Sequence, residues 1–302
     1  MMFGMRDRFT YRICAACGCF ELMNPPADLS PYYPPSYYSI AVRPLGLWLR
    51  FLLWPYVSRY YLGKKSALGR LLGRSRPRPS VLEWLRRCGM RPGSQLLDVG
   101  SGVGHTLFSL RGLGFERLIG VDPFITRSIR FPGGITVLKK QINEVEGKFD
   151  YVVLNHSIEH MDEPLNVLKD VRRLLAPGGQ VLISTPIASS FASREYGVNW
   201  VQLDAPRHLF VHSVKSIEHM AKQAGLRIIE AVYESTEFQF WGSEQYRAGI
   251  PLHDKRSYAR SPKRSMFSAK EILGFRRRAA ELNRAHDGDE ASLYLQANSG
   301  SN

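Results

Sequence analysis

Residues 96–104 read Leu-Leu-Asp-Val-Gly-Ser-Gly-Val-Gly, two apolar residues running into an acid and then glycines at alternate positions. So many missing Cβ atoms in one turn suit a chain that must let a bulky ligand lie against bare backbone. Residues 118–122, Leu-Ile-Gly-Val-Asp, end in a second acid about twenty residues on, where a carboxylate can grip a ribose diol. Asp98, Gly100, Ser101, Gly102, Gly104 and Asp122 are therefore expected to hold a nucleoside-containing cofactor. A dinucleotide fingerprint needs Gly or Ala three residues beyond its second glycine, so that helix and strand close tightly around a pyrophosphate. His105 stands there and is too large.

The order acid-x-Gly-x-Gly-x-Gly, set by Asp98, Gly100, Gly102 and Gly104, resembles motif I of the class I S-adenosylmethionine-dependent methyltransferases. That cofactor carries an ammonium and a carboxylate instead of a phosphate. An acid beside the glycines suits the first, and a helix N-terminus suits the second. Further segments resemble one branch of these enzymes, which acts on sugars and other natural-product or cell-envelope building blocks and is related to the ubiquinone-type O-methyltransferases. Residues 149–153, Phe-Asp-Tyr-Val-Val, followed by Asn155-His156-Ser157-Ile158-Glu159-His160, resemble its fourth strand and the loop after it. Residues 174–179 resemble its turn into the fifth strand, and residues 204–209 and 241–244 its substrate side. The resemblance covers roughly residues 80–245. Relatives often carry two Cys pairs in an N-terminal zinc ribbon; here Cys14, Cys17 and Cys19 are too few for a tetrahedral site, so a vestigial knuckle is expected. The usual acid contacting the adenine is also missing, with residues 139–143, Lys-Lys-Gln-Ile-Asn, in its place.

Methyl transfer from a sulfonium is an in-line displacement, so alignment matters most, and an alcohol acceptor also needs its proton removed. Asn155 and His156 lie at the head of the loop after a strand candidate, where open α/β sheets place ligands, and are expected against the cofactor. His156 then either takes part in catalysis or packs on the methionine moiety. His208 is the candidate general base, with pairing of Asp204 and Arg207 to shape the loop as the plainer alternative. The resemblance to metal-dependent O-methyltransferases implies that Glu159 and His160 could coordinate a divalent ion. Two ligands do not make a site, so bracing of the loop is favoured and no metal is assigned.

The elements that must position these residues follow from periodicity. Strand candidates are 95–99, 117–122, 135–139, 150–155, 180–185, 227–234 and 291–297. Leu165, Leu168, Val171 and Leu175 have helical spacing, and Ser213 caps a helix through Ala224. Alternating strands and helices predict a doubly wound α/β fold. With the resemblance, this becomes a Rossmann-like, seven-stranded, mostly parallel sheet with an antiparallel last strand. An irregular lead rich in Pro and Tyr is expected over residues 1–42, and a basic aromatic helical segment over 43–78. The cofactor domain spans 79–302, with a basic insertion at about 247–288.

The 302 residues are 44% hydrophobic and 23% charged, ordinary for a globular chain, with a formal net charge of +14. Residues 43–78 hold nine Lys/Arg and no acid, and residues 251–280 hold nine against Asp254 and Glu271. These flanks either aid solubility or attract an anionic partner. Residues 43–62 suit a lid helix or a helix resting on a membrane interface, and Arg50 and Pro55 break them too soon for a span. No signal peptide is evident at the start of the chain, so a cytoplasmic location is expected, with contact at the inner face of the membrane through 43–62 as a variant. The expected activity is S-adenosylmethionine-dependent O-methylation of a small-molecule acceptor, a sugar or nucleotide-sugar, with nucleic acid not expected. A nicotinamide-dependent oxidoreductase and a non-catalytic binding protein on a methyltransferase fold are the rivals.

Overall fold

The computed structural model describes residues 2–34, 53, 56, 57, 60, 65–73, 80–131 and 133–298. The strands among them are β1 (Thr10–Ile13), β2 (Phe20–Met23), β3 (Gln95–Val99), β4 (Arg117–Val121), β5 (Ile129–Phe131), β6 (Ile135–Leu138), β7 (Phe149–Asn155), β8 (Leu175–Pro186), β9 (Phe210–Val211), β10 (Leu226–Tyr233) and β11 (Glu290–Ala297). The helices are α1 (Ala67–Gly73), α2 (Ser80–Cys88), α3 (His105–Gly112), α4 (Pro164–Leu174), α5 (Phe191–Tyr196), α6 (Val214–Gln223), α7 (Phe238–Arg247) and α8 (Ala269–Arg284).

Eight strands form one sheet in the order β10-β11-β8-β7-β3-β4-β6-β5. Strands β6, β4, β3, β7 and β8 are mutually parallel, while β11 runs antiparallel to both β8 and β10. From β3 the chain moves outward on one side to β4 and returns on the other to β7. That reversal opens a crevice at the carboxyl ends of β3 and β7, where ligands of open α/β sheets sit.

The apolar runs arise because this sheet is covered on both faces. Successive side chains alternate across a strand, so Leu97, Val152, Ile183, Leu293 and Leu295 join one core with Leu168 and Val171 of α4 and Ile217 and Ala221 of α6. Their neighbours Leu96, Val153, Leu182 and Tyr294 join the other, with Trp84 of α2 and Leu107 and Leu110 of α3. Each fully buried Leu, Ile or Val contributes about 1.5–3 kcal/mol. Ser213 caps α6 as expected. Its hydroxyl accepts from the Ser216 N–H at 3.0 Å, and the Ser216 hydroxyl accepts from the Ser213 N–H at 3.0 Å. Such a cap stabilises a helix by about 1 kcal/mol.

Two features depart from the sequence expectation. The sheet gains an eighth strand, β5, which folds back on β6 as an antiparallel hairpin; the turn between them passes through Gly133 and Gly134, both with φ of +88°. The lead expected to be irregular carries the β1–β2 hairpin, and β2 pairs with β9 through Phe20–Val211 and Glu21–Phe210. Period-two alternation in four-residue strands is too brief to read against so many prolines. Cys14, Cys17 and Cys19 occupy the turn of this hairpin as free thiols. The helical segment expected at 43–62 lies almost wholly outside the described residues. No helix among the described residues is long and apolar enough to cross a membrane.

Candidate active site

Strand β3 delivers Asp98 to the crevice, and the chain then turns through Gly100, Gly102 and Gly104 with φ of +73°, +53° and +89°. The N–H groups of Gly100 and Ser101 donate to the Val121 carbonyl at 2.8 and 3.2 Å, tying this turn to the end of β4. A Cβ on Gly100 would lie 2.5 Å from Cβ of Ser157, so the loop after β7 closes down on the glycine backbone. The Ser157 hydroxyl fixes that contact by donating to the Val99 carbonyl at 2.8 Å. Ser101 turns its side chain beneath β4, where a Cβ on Gly120 would meet its hydroxyl at 2.4 Å.

Asp98 is 2% exposed, and among the described residues its Oδ2 has no hydrogen-bond partner. Burial first, and the neighbouring Asp122 second, push its carboxyl up to about 8. A buried acid left with an unmet oxygen costs about 1–3 kcal/mol, and an ammonium is the group that would satisfy it. Asp122 lies at the other edge of the hollow. Its Oδ2 accepts from the Gly102 N–H at 2.9 Å and its Oδ1 from the Phe124 N–H at 2.8 Å. Each oxygen keeps a further lone pair for a diol. Two residues on, Phe124 is 78% exposed, which offers a flat apolar face beside that acid. The residues present thus fit the two poles of S-adenosylmethionine, with Asp98 for its ammonium and Asp122 for its ribose.

At the carboxyl end of β7, Asn155 pairs with Ser184 of β8. His156 follows with φ of +50°, held there by its N–H donating to the Ser184 carbonyl at 2.8 Å. Its half-buried ring sits between two carboxylates. Nε2 is 3.0 Å from Glu290 Oε1, and Nδ1 is 3.6 Å from Glu159 Oε1. Burial opposes its charge, but the field of Glu290 and the hydrogen bonds to Glu159 and Glu290 together raise His156 well above its ordinary value. Glu159 is wholly buried and accepts from the Thr185 hydroxyl at 3.1 Å. Burial works to raise its carboxyl, yet the His156 hydrogen bond and the nearby His160 and His208 bring it down to about 2.

The other wall comes from the segment before β9. Arg207 grips Asp204 with two guanidinium nitrogens, one at 3.0 Å from Oδ2 and the other on Oδ1. Asp204 and Arg207 are therefore paired beside His208. His208 is 5% exposed, its Nδ1–H donates to the Gln202 carbonyl at 2.9 Å, and its own carbonyl accepts from the Tyr11 hydroxyl at 2.7 Å. Burial, followed by the field of His160, pushes its imidazole down to about 4. His160 donates from Nδ1 to the Arg207 carbonyl at 2.8 Å, and the His160 and His208 rings meet edge to face at 4.8 Å. His212 lies apart, buried near Cys19 Sγ at 3.8 Å and the Ser216 hydroxyl at 3.4 Å.

The structure brings Asp98, the glycines and Asp122 together around one turn, and Asn155 and His156 together with Glu159 at the end of β7. Sequence reasoning missed Glu290, Ser157 and Phe124. Glu290 lies 134 residues from His156, and no local signal announces that contact. Ser157 and Phe124 lie within two residues of assigned positions and were within reach of a closer reading.

A family profile described as a methyltransferase domain matches residues 72–231, more than half of the chain. The chain is 28% identical over 172 residues to the ubiquinone biosynthesis O-methyltransferase of Pseudomonas aeruginosa (strain LESB58), spanning 51% of this chain and 73% of that one. It is 24% identical over 174 residues to the tRNA U34 carboxymethyltransferase of Hydrogenovibrio crunogenus (strain DSM 25203 / XCL-2), covering 50% of this chain and 52% of that one. Among solved structures it is similar to the magnesium protoporphyrin IX methyltransferase of Synechocystis PCC 6803 with bound SAH, at 19% identity and a TM-score of 0.42 over 53% of this chain and 76% of that one. With its glycine turn, its two acids and its sheet order in place, this chain belongs to the methyltransferase domain family and is a class I S-adenosylmethionine-dependent methyltransferase.

Proposed function

We propose that this methyltransferase acts on an oxygen of a small metabolite, a sugar or a nucleotide-sugar, at the wall formed by residues 156–160 and 204–208. When bound, S-adenosylmethionine would supply a sulfonium methyl group for in-line transfer to the acceptor oxygen. Asp98 orients the ammonium, Asp122 the ribose, and the exposed ring of Phe124 gives the adenine a face to rest on. Asn155 and His156, at the end of β7, stand where the sulfonium end would lie. His156 shapes that end as a cation pinned by Glu159 and Glu290. Alignment of this kind supplies about 7–11 kcal/mol of a barrier.

The observation that carries the oxygen acceptor is the state of His208. Its Nδ1 proton is committed to a carbonyl, so Nε2 keeps a lone pair, and burial keeps the ring neutral. That lone pair receives the acceptor's proton, a step worth about 10²–10⁴-fold. The named activity of the Pseudomonas relative, an O-methyltransferase, agrees with this assignment. The exposed Lys263, Arg264, Lys270 and Arg277 give the arm around α8 the charge to attract an anionic acceptor such as a nucleotide-sugar. Mass spectrometry of cell-envelope glycans and nucleotide-sugars from cells with and without the protein tests the assignment. A 14-dalton loss on an oxygen of one such compound supports it, and a change confined to nitrogen or RNA overturns it.

A further inference from the structure

We propose that Cys14 and Cys17 form a redox-active dithiol, which exchanges electrons with a low-molecular-weight disulfide and closes into a disulfide of its own. The pair lies at the tip of the β1–β2 hairpin, outside the residues 72–231 that match the methyltransferase profile, and its chemistry is independent of methyl transfer. The run Cys14-Ala-Ala-Cys17-Gly18 sets the spacing. Gly18, with φ of +73°, donates its N–H to the Cys14 carbonyl at 2.7 Å, and Cys14 donates its own to the Cys19 carbonyl at 2.9 Å. A turn so tight brings residues three apart within about 7 Å. That meets the roughly 4.4–6.8 Å between Cα atoms that a disulfide spans.

The surroundings decide which sulfur attacks. Cys14 is exposed, and the Cys17 N–H first, the Cys17 thiol next and the Ala16 N–H third hold its thiol below the ordinary value. The thiolate is the nucleophile in disulfide exchange, so Cys14 is the entry point. The other cysteines are built differently. Burial before all else pushes Cys19 and Cys88 each up to about 12, which keeps them protonated. Cys19 Sγ is also engaged, at 3.5 Å from the Phe20 carbonyl and 3.8 Å from His212 Nδ1. Among the described residues, no His, Cys, Asp or Glu closes on Cys14 and Cys17 to make a three-ligand metal group. Cys17 is left as the resolving partner.

The exchange proceeds through a mixed disulfide. The Cys14 thiolate attacks one sulfur of the small disulfide, the S–S bond breaks, and one thiolate leaves. Cys17 loses its proton to water and attacks the Cys14 sulfur, which expels the second thiolate. Two protein thiols are oxidised, one small disulfide is reduced to two thiols, and two electrons have moved. The fold permits this because main-chain groups hold the tip. The two bonds above, with the Ser213 hydroxyl donating to the Cys17 carbonyl, tie the turn to itself and to the cap of α6. Sulfur chemistry leaves these ties in place.

Reduced full-length protein, equilibrated with glutathione and glutathione disulfide at a series of ratios, then quenched and alkylated, provides the test by peptide mass spectrometry. A bond between Cys14 and Cys17 should form, lighter by two hydrogens and reversed by dithiothreitol, while Cys19 and Cys88 stay reduced. Cys17→Ser should stop at one glutathione attached to Cys14, and Cys14→Ser should slow the reaction of the hairpin more than about tenfold. Circular dichroism of both variants, matching the wild type, reports that the fold is kept. Absence of a Cys14–Cys17 bond at every ratio overturns the proposal. So does faster reaction at Cys19 or Cys88 than at Cys14, or a Cys17→Ser protein that traps no glutathione.

Discussion

The Asp122 carboxylate accepts from the Gly102 N–H at 2.9 Å, so the acid that ends β4 clasps the middle of the glycine turn that ends β3. The cofactor hollow is therefore one linked unit. Asp98, at the other side of that turn, is raised in part by the same Asp122.

Asp122→Asn keeps an acceptor but removes the charge. Hydrogen bonds to charged groups contribute about 1.5–3 kcal/mol, so affinity for S-adenosylmethionine should fall roughly ten- to a hundredfold. Calorimetry checks this, and an undiminished affinity would place the ribose elsewhere.

Asp98→Asn separates folding from binding. In the ligand-free protein Asp98 stays protonated up to about 8, while an unfolded chain ionises near its ordinary value. Between those limits the native state binds the extra proton, so this carboxyl makes the wild type less stable as pH rises, by at most about 1.4 kcal/mol per unit. The variant lacks that penalty. Its Tm relative to wild type should rise between pH 5 and pH 8, while its affinity for S-adenosylmethionine collapses. A relative Tm that does not change with pH would mean that Asp98 is ionised without ligand.

His208→Gln should lower kcat about 10²–10⁴-fold with cofactor binding retained. Because burial holds this imidazole down at about 4, the wild type should show no acid limb from His208 between pH 6 and 8. Its protonation should cut the rate only near pH 4. A pH–rate profile checks the sign, and full turnover by the variant across pH 6–8 would remove His208 from the reaction.

Glu290→Gln weakens the clamp on His156. Since Glu290 is the first of the contacts that raise this imidazole, nitrogen NMR should show His156 doubly protonated at pH 7 in the wild type and titrating at lower pH in the variant. The stability that this charge supplies is present below the ordinary histidine value and lost as pH rises through the raised one. The Tm difference between the two proteins should accordingly be largest in mild acid and shrink as the wild-type ring deprotonates. Equal titration of His156 in both proteins would contradict the contact.

How much of this was legible in the sequence follows from how local each cause is. The turn at Gly100–Gly104 and the acids Asp98 and Asp122 announce themselves because glycine permissiveness and strand length are properties of a few adjacent residues. The cores were legible for the same reason, since β3, β7 and β8 are apolar on both faces. Non-local contacts were not. Glu290 meets His156 only because β11 inserts antiparallel between β8 and β10, and Tyr11 reaches the His208 carbonyl only because β2 pairs with β9. Strand β5 was hidden by its three residues.

Calorimetric titration of the wild type and of Asp98→Asn with S-adenosylmethionine tests the central claim most directly. One cofactor per wild-type chain and none detectable in the folded variant is the predicted result. A wild-type protein that takes up no S-adenosylmethionine, or a variant that binds it as tightly as wild type, would contradict the account.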